Sequence, residues 1–189
     1  MFEEYLEDAA DFFDKARKAG EKERDREARR YYRAAVFYSA SAMEAFVNYI
    51  ADSFEKARST SSSSSTPSSL SAFEVAFIND KNLVFQADKL KVIVRTEYHR
   101  LEDKIRFLLK KFDPEFDFNK SPDWSRLMEF KDFRDSLVHP RKGEDDTSVE
   151  EYHKKVKAGL AGVIGVMNSV SEVIYKKPLR KKILDLIPS

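Results

Sequence analysis

No cysteine occurs in the 189 residues, so disulfides, thiolate zinc sites and cysteine nucleophiles are all excluded, and a reducing cytoplasm is the expected setting. Glycine appears only five times and never as a phosphate-cradling loop, which argues against ATP hydrolysis. Histidine is scarcer still, with three residues. His99, His139 and His153 stand far apart, none forms a His-x-x-x-His pair, and no Asp/Glu cluster has metal-loop spacing, so neither a metal site nor a cofactor is expected. Nothing looks like a nucleophile elbow or a Ser-x-x-Lys motif. The longest unbroken apolar run, Leu160 to Met167, is far shorter than the ~20 residues that cross a bilayer, and the N-terminus is acidic, so neither a membrane segment nor a signal peptide is expected. One-signed charge is missing too. The net value of +1 provides no global basic field for a nonspecific nucleic-acid binder.

The chain does contain 42% hydrophobic and 13% aromatic residues, enough for one well-packed domain over 1–189. Its apolar spacing predicts an all-α bundle of about five main helices. The first runs from Phe2 to Lys18 and stops at Gly20. The second covers Glu21 to about Ala57, with Val36, Ala40, Met43, Val47, Ile50 and Phe54 in alternating steps of four and three; it either outruns the core or breaks near Glu21–Arg30. Residues 59–71 form a Ser-rich tract, read as a flexible loop. Residues 72–94 are ambiguous between two short helices and a strand at Val92-Ile93-Val94. A third helix is expected over Glu97–Phe112, then a motif-bearing helix ending before His139, then a last one over Ser148–Tyr175 with the stripe Val149, Tyr152, Val156, Leu160, Val163, Met167, Val170 and Ile174.

Charge is segregated at the ends. Glu3, Glu4, Glu7, Asp8, Asp11 and Asp14 crowd the start, and Lys176, Lys177, Arg180, Lys181 and Lys182 the tail, so any polyanion contact should be local, with the tail one candidate.

The segment Phe133-Arg134-Asp135-Ser136-Leu137-Val138-His139-Pro140-Arg141-Lys142 is the most informative. Ser121 reads as an N-cap with Pro122 in the first helical position, and Pro140 disfavours helical geometry at His139. At ~100° per residue, Leu127, Met128, Phe130, Phe133, Leu137 and Val138 fill a broad arc, which predicts a largely buried helix with Arg134 near the arc's centre and Asp135 inside it. A charge there costs several kcal/mol unless it is paired or faces a wet cleft or a second chain. His139 falls at the helix C-terminus, whose carbonyls stabilise an imidazolium by roughly 0.3–1 kcal/mol, a suitable place for a proton-transfer group. A purely structural alternative is equally concrete: an Arg134–Asp135 ion pair and a capping histidine. On the second helix, Ser41, Glu44 and Asn48 make a polar seam that either orients Arg134 or His139 or is simply a hydrated boundary. His99 and His153 receive no role.

The string Arg-Asp-x-x-x-His-Pro resembles the signature of the HEPN superfamily, in which an arginine, a polar residue, three further residues and a histidine close the penultimate main helix of an all-α bundle. Residues Phe37 to Asn48 are similar to the family's long helix with its Ser/Ala-rich, Glu-containing, Asn-ending run, and Leu101-Glu102-Asp103-Lys104-Ile105 resembles the acidic-Lys segment of the helix before the motif. The resemblance spans about Tyr31 to Tyr175. It implies a metal-independent endoribonuclease, a toxin or phage-defence effector, working as a homodimer in which two motifs share one cleft, with RNA as substrate and an antitoxin or regulatory protein as a further partner. Arg134 and His139 would then be catalytic with Asp135 in support, and Lys131, Arg141 and Lys142 would be RNA-binding candidates. One departure is Arg141, which stands where a toxin subgroup carries a tyrosine modified by a partner nucleotidyltransferase.

The chemistry is consistent with that expectation. RNA carries its own nucleophile, so cleavage needs a base for the 2′-hydroxyl, an acid for the 5′-oxygen and cationic donors for the phosphate. A rival from another class is a non-catalytic HEPN-like bundle that binds nucleotide or protein and keeps the motif for dimer packing.

Overall fold

Side-chain caps set where the principal helices begin. The Ser121 hydroxyl accepts the Trp124 N–H at 3.2 Å beside Pro122, Ser148 accepts the Glu151 N–H at 3.1 Å, and Ser71 with Glu74 forms a reciprocal capping box. In the computed structural model, which describes residues 1–60, 70–139 and 147–188, these caps open three of the α-helices. They are α1 (Phe2–Gly20), α2 (Asp25–Thr60), α3 (Ala72–Ile78), α4 (Leu101–Phe112), α5 (Pro122–Val138), α6 (Val149–Tyr175) and α7 (Lys181–Leu184), with strands β1 (Lys81–Gln86) and β2 (Lys91–Thr96) between α3 and α4. Helix makes up 74% of the described residues, so the fold is predominantly helical.

Several expectations need correction. The fold is not purely α: β1 and β2 pair antiparallel, Leu83 opposite Val94 and Phe85 opposite Val92. β-Branched and aromatic residues on both faces of this ribbon favour strand over the short helices considered for this stretch. α4 starts at Leu101, not Glu97. A turn at Glu21–Arg24, with Glu23 at φ 56°, precedes α2, which then runs unbroken from Asp25. Of the expected loop 59–71, Ser59 and Thr60 continue α2 and Ser71 caps α3, with Leu70 buried. Residues 61–69 lie outside the described residues.

The chain divides into two compact units, Met1–Met43 with Glu115–Ser189, and Glu44–Pro114. The boundary falls inside α2.

In the first unit, Leu6, Ala9 and Phe13 of α1, Ala28, Tyr32 and Val36 of α2, and Val156, Leu160, Val163 and Met167 of α6 form the core. By length and composition α6 could cross a bilayer, yet its apolar stripe is spent on this core. The sequence reading, based on unbroken apolar runs, did not single it out. α5 lies antiparallel on α6, and glycines set how close the two come. A Cβ on Gly159 would sit 1.9 Å from the Phe130 ring, and one on Gly162 would sit 2.8 Å from the backbone nitrogen of Leu127. The acidic start and basic tail meet each other: Glu3 takes Arg180 and, at 3.2 Å, Lys182, which also reaches Glu7 at 3.1 Å. Arg180 and Lys182, read as part of a polyanion candidate, are therefore engaged in tying α7 to α1. Burial pushes the Glu3 carboxyl up, but hydrogen bonds and charge from Arg180 and Lys182 outweigh that and hold it below its ordinary value.

In the second unit, Phe46, Val47 and Ile50 of α2, Val75 and Ile78 of α3, and Ile105, Leu108 and Leu109 of α4 are buried. Lys104 is only 5% exposed. Its ammonium donates to the Asp80 carboxylate at 2.6 Å, which also accepts the His99 N–H at 2.8 Å. Asp80 adopts φ 55° and its carbonyl accepts the Glu97 N–H at 2.9 Å, so one aspartate ties the hairpin's two ends to α4.

The glycine contacts make a direct test. Gly162→Ala places a methyl against rigid backbone and should lower stability by about 1–3 kcal/mol despite the better helix former. Gly20→Ala meets only a Val149 methyl, at 3.2 Å, and should fall within about 0.5 kcal/mol of wild type. Urea unfolding of both variants measures the difference.

Candidate functional site

The motif occupies the last turn of α5, where the packing on α6 runs out. Trp124, Leu127, Phe130 and Phe133 are buried at steps of three. Phe133 meets the Tyr152 ring edge-on and carries Lys155 over its face at 4.7 Å. Beyond Phe133 nothing on the helix is buried: Arg134, Asp135 and Leu137 are half-exposed, and Val138 and His139 are exposed. The expected largely buried helix is therefore wrong: α5 buries only the stripe Trp124, Leu127, Phe130 and Phe133.

Arg134 donates from Nη1 to Asp135 Oδ1 at 3.0 Å, while its Nε is buried and has no hydrogen-bond partner. Lys131 approaches Asp135 from one turn earlier, at 3.4 Å. Burial pushes the Asp135 carboxyl up, but Arg134 and Lys131 outweigh it and keep it below its ordinary value, ionised across the neutral range. His139 is the C-cap, as the following proline predicts; its N–H donates to the Asp135 carbonyl at 3.0 Å and its ring is exposed. Asp135 thus touches three of the predicted residues at once, holding Arg134 and Lys131 by its side chain and His139 by its backbone. Lys131, offered as a phosphate ligand, has its charge locally answered. Arg141 and Lys142 lie outside the described residues.

Beside this turn, a groove of about 440 Å³ runs between α5 and α6, walled by Phe130, Phe133, Ser136 and Ala158 and rimmed by Arg126, Glu129, Asp132 and Lys155. Its mixed charge suits no polyanion in particular. Arg134 and His139 do not line it. Among the described residues no group of three or more His, Asp or Glu side chains could hold a metal ion.

No family model, curated protein or solved structure matches this chain.

The polar seam of α2 is split by the unit boundary. Ser41 belongs to the first unit and is half-buried, whereas Glu44 and Asn48 belong to the second and are exposed. Lys104, in the other stretch that drew attention, is the Asp80 anchor already described.

His153, to which no role was given, accepts or donates a hydrogen bond to the Tyr32 hydroxyl at 2.9 Å, its ring tilted against Phe13 at 5.2 Å. Tyr32 stacks on Tyr152, with ring centroids 5.9 Å apart. The two partners are separated by 121 positions, so only the apolar placement of Tyr32 on α2 hinted at this pair. Burial pushes the Tyr32 phenol up to about 12. Burial, with Lys157 and Arg17 nearby, holds the His153 imidazole below its ordinary value of 6.5.

The sign follows. Above that value the ring is neutral in both folded and unfolded chains; below it the unfolded ring takes the proton first, so stability falls with pH until the native ring also titrates. His153→Gln, which keeps a partner for Tyr32, should flatten this limb. Urea midpoints across about pH 5 to 8 should show wild type losing ground to the variant as pH drops.

Proposed function

We propose that this chain is a HEPN-type, metal-independent endoribonuclease that acts as a cytoplasmic homodimer, with Arg134 and His139 as its catalytic residues. The observation carrying this reading is the state of the α5 C-terminus. A surface turn holds an arginine with one buried donor unanswered and an exposed histidine, both organised by Asp135.

In the proposed reaction the 2′-oxygen of RNA attacks the adjacent phosphorus. A histidine takes the 2′-proton, the 5′-oxygen leaves with a proton from a second histidine, and Arg134 stabilises the charge on the equatorial oxygens. One chain supplies one such histidine on this turn. Two turns facing each other across a two-fold axis would supply both, and would also give Arg134 Nε a neighbour. Asp135 positions the arginine. A toxin or phage-defence role, with an antitoxin or regulatory partner, belongs to the same proposal.

One observation favours a second reading. The Arg134–Asp135 pair is complete within a single chain and His139 is a satisfied helix cap, which is all that a non-catalytic HEPN-like nucleotide- or protein-binding dimerisation module would need.

The experiment is an RNA-cleavage assay run beside thermal melting and solution scattering. The wild type should be a dimer at micromolar concentration, cleave RNA in excess EDTA, leave 2′,3′-cyclic phosphate ends, and spare DNA and 2′-O-methyl RNA. His139→Ala should lose about 10²–10⁴ in rate with its melting temperature nearly unchanged, because the ring is exposed. Arg134→Ala should also lose activity. Full cleavage by the folded His139→Ala variant, or a folded dimer with no activity, would hand the case to the second reading, and a strict monomer would count against the shared site.

A further inference from the structure

The hairpin of the second unit has only two strands, and a two-stranded ribbon is marginally stable in water without further cover. α3 packs against β1. That leaves β2, Lys91-Val92-Ile93-Val94-Arg95-Thr96, as the open edge, exposed at every residue except half-buried Ile93. Every second residue of such an edge turns its N–H and C=O outward, in a row ready to pair with another strand.

The two faces of β2 have opposite chemistry. On one, Lys91 and Arg95 flank Ile93, and neither has a carboxylate partner among the described residues. On the other, Val92 and Val94 are 58% and 60% exposed and continue across the pair to Phe85 and Leu83. Val94 and Leu83 also wall a groove of about 390 Å³ together with Ala72, Val75 and Ala76 of α3.

These faces discriminate between occupants. If β2 paired with β2 of a second copy in the face-matched register centred on Ile93, Lys91 would stand opposite Arg95, and like charges directly opposed are destabilising. Shifting by one residue sets Arg95 against Val92 and mismatches the faces; shifting by two restores them but pairs only Val92 to Thr96 and sets Arg95 against Ile93, with no carboxylate for it. A nucleic acid would answer the two cations but leave both valines wet, and β2 itself offers no ring on which a base could stack. An added strand with acidic residues on one face and apolar residues on the other satisfies the backbone edge, the cations and the valines together.

We propose that the outer edge of β2 is a strand-addition site for an extended segment of a partner protein. The segment carries carboxylates four residues apart to meet Lys91 and Arg95, and β-branched or aromatic side chains between them on the opposite face to cover Val92 and Val94. This inference is independent of the ribonuclease reading.

The test uses the full chain and short synthetic peptides: one alternating glutamate and valine, one alternating lysine and valine, and a block-scrambled Glu/Val control. The Glu/Val peptide should bind saturably, protect the amides of residues 91–96 from hydrogen exchange, and outbind the scrambled control. The double variant Lys91→Glu, Arg95→Glu, changed only at exposed positions, should melt like wild type, lose affinity for the Glu/Val peptide by about tenfold or more, and gain it for the Lys/Val peptide. No saturation by about 1 mM peptide, protection elsewhere on the chain, or equal binding by the double variant would overturn the proposal. So would concentration-dependent protection of β2 without peptide, which would assign the edge to a second copy. Displacement of the peptide by oligouridylate, with the oligonucleotide protecting β2, would assign it to nucleic acid.

Discussion

The approach of α5 to α6 is the constraint on which the candidate site depends. Two helices can bring backbone against backbone only where side chains are missing, and Gly159 and Gly162 supply that gap under Phe130 and Leu127. Glycine inside a helix costs roughly 1 kcal/mol against alanine. The cost is offset by the seating of Phe130 and Leu127, and by a register that admits no slippage: Phe133 is carried to Tyr152 and beneath Lys155. With Phe133 fixed as the last buried residue, the following turn must emerge from the core. The exposure of Arg134 and His139 is thus a consequence of packing one turn earlier.

How legible this was from the sequence depends on the range of each interaction. Ser121, Pro122 and Pro140 act within a few residues, and both ends of α5 follow from them. The α6 stripe is legible for the same reason, because Val156, Leu160, Val163 and Met167 repeat one chemistry at one period. The arc on α5 misled because apolar residues mark where a helix can be buried, whereas burial also needs a covering neighbour, and Leu137 and Val138 have none close enough to bury them. Gly159 and Gly162 gave no signal, since an absent side chain looks the same at a close crossing and at an indifferent position. The hairpin was half legible: Val92-Ile93-Val94 read equally well as a strand, but with Leu83, Val84 and Phe85 apolar in succession its partner lacks the alternation that marks a half-buried strand. Asp80 with Lys104, and Tyr32 with His153, join residues too distant for any local pattern.

The same logic sorts the charges. Net charge near zero conceals a pattern in which many cations are already committed. Arg180 and Lys182 hold α1 through Glu3, Lys104 is neutralised by Asp80, and Lys131 shares Asp135 with Arg134. Proximity in sequence made the tail look like a polyanion site, although its counter-charge lay at the other end of the chain. Among the described residues, Lys91 and Arg95 lack a carboxylate, and they stand on a strand edge, where like charges discourage pairing with a second copy of the strand.

Arg134 shows why a satisfied contact does not settle a role. Its pairing with Asp135 is between neighbours at a half-exposed position, the kind of contact that contributes about 0–1 kcal/mol. So weak a contact would not by itself keep an arginine at the centre of a helix face that is apolar one turn earlier, at Leu127 and Phe130, when an apolar residue there would cover Val138 better. The pair engages one amino group of the guanidinium and leaves its Nε buried and unanswered. A buried donor left without a partner is costly for a fold. Stability alone accounts for Asp135, which answers two cations, more easily than for Arg134, whose one partner is its own neighbour.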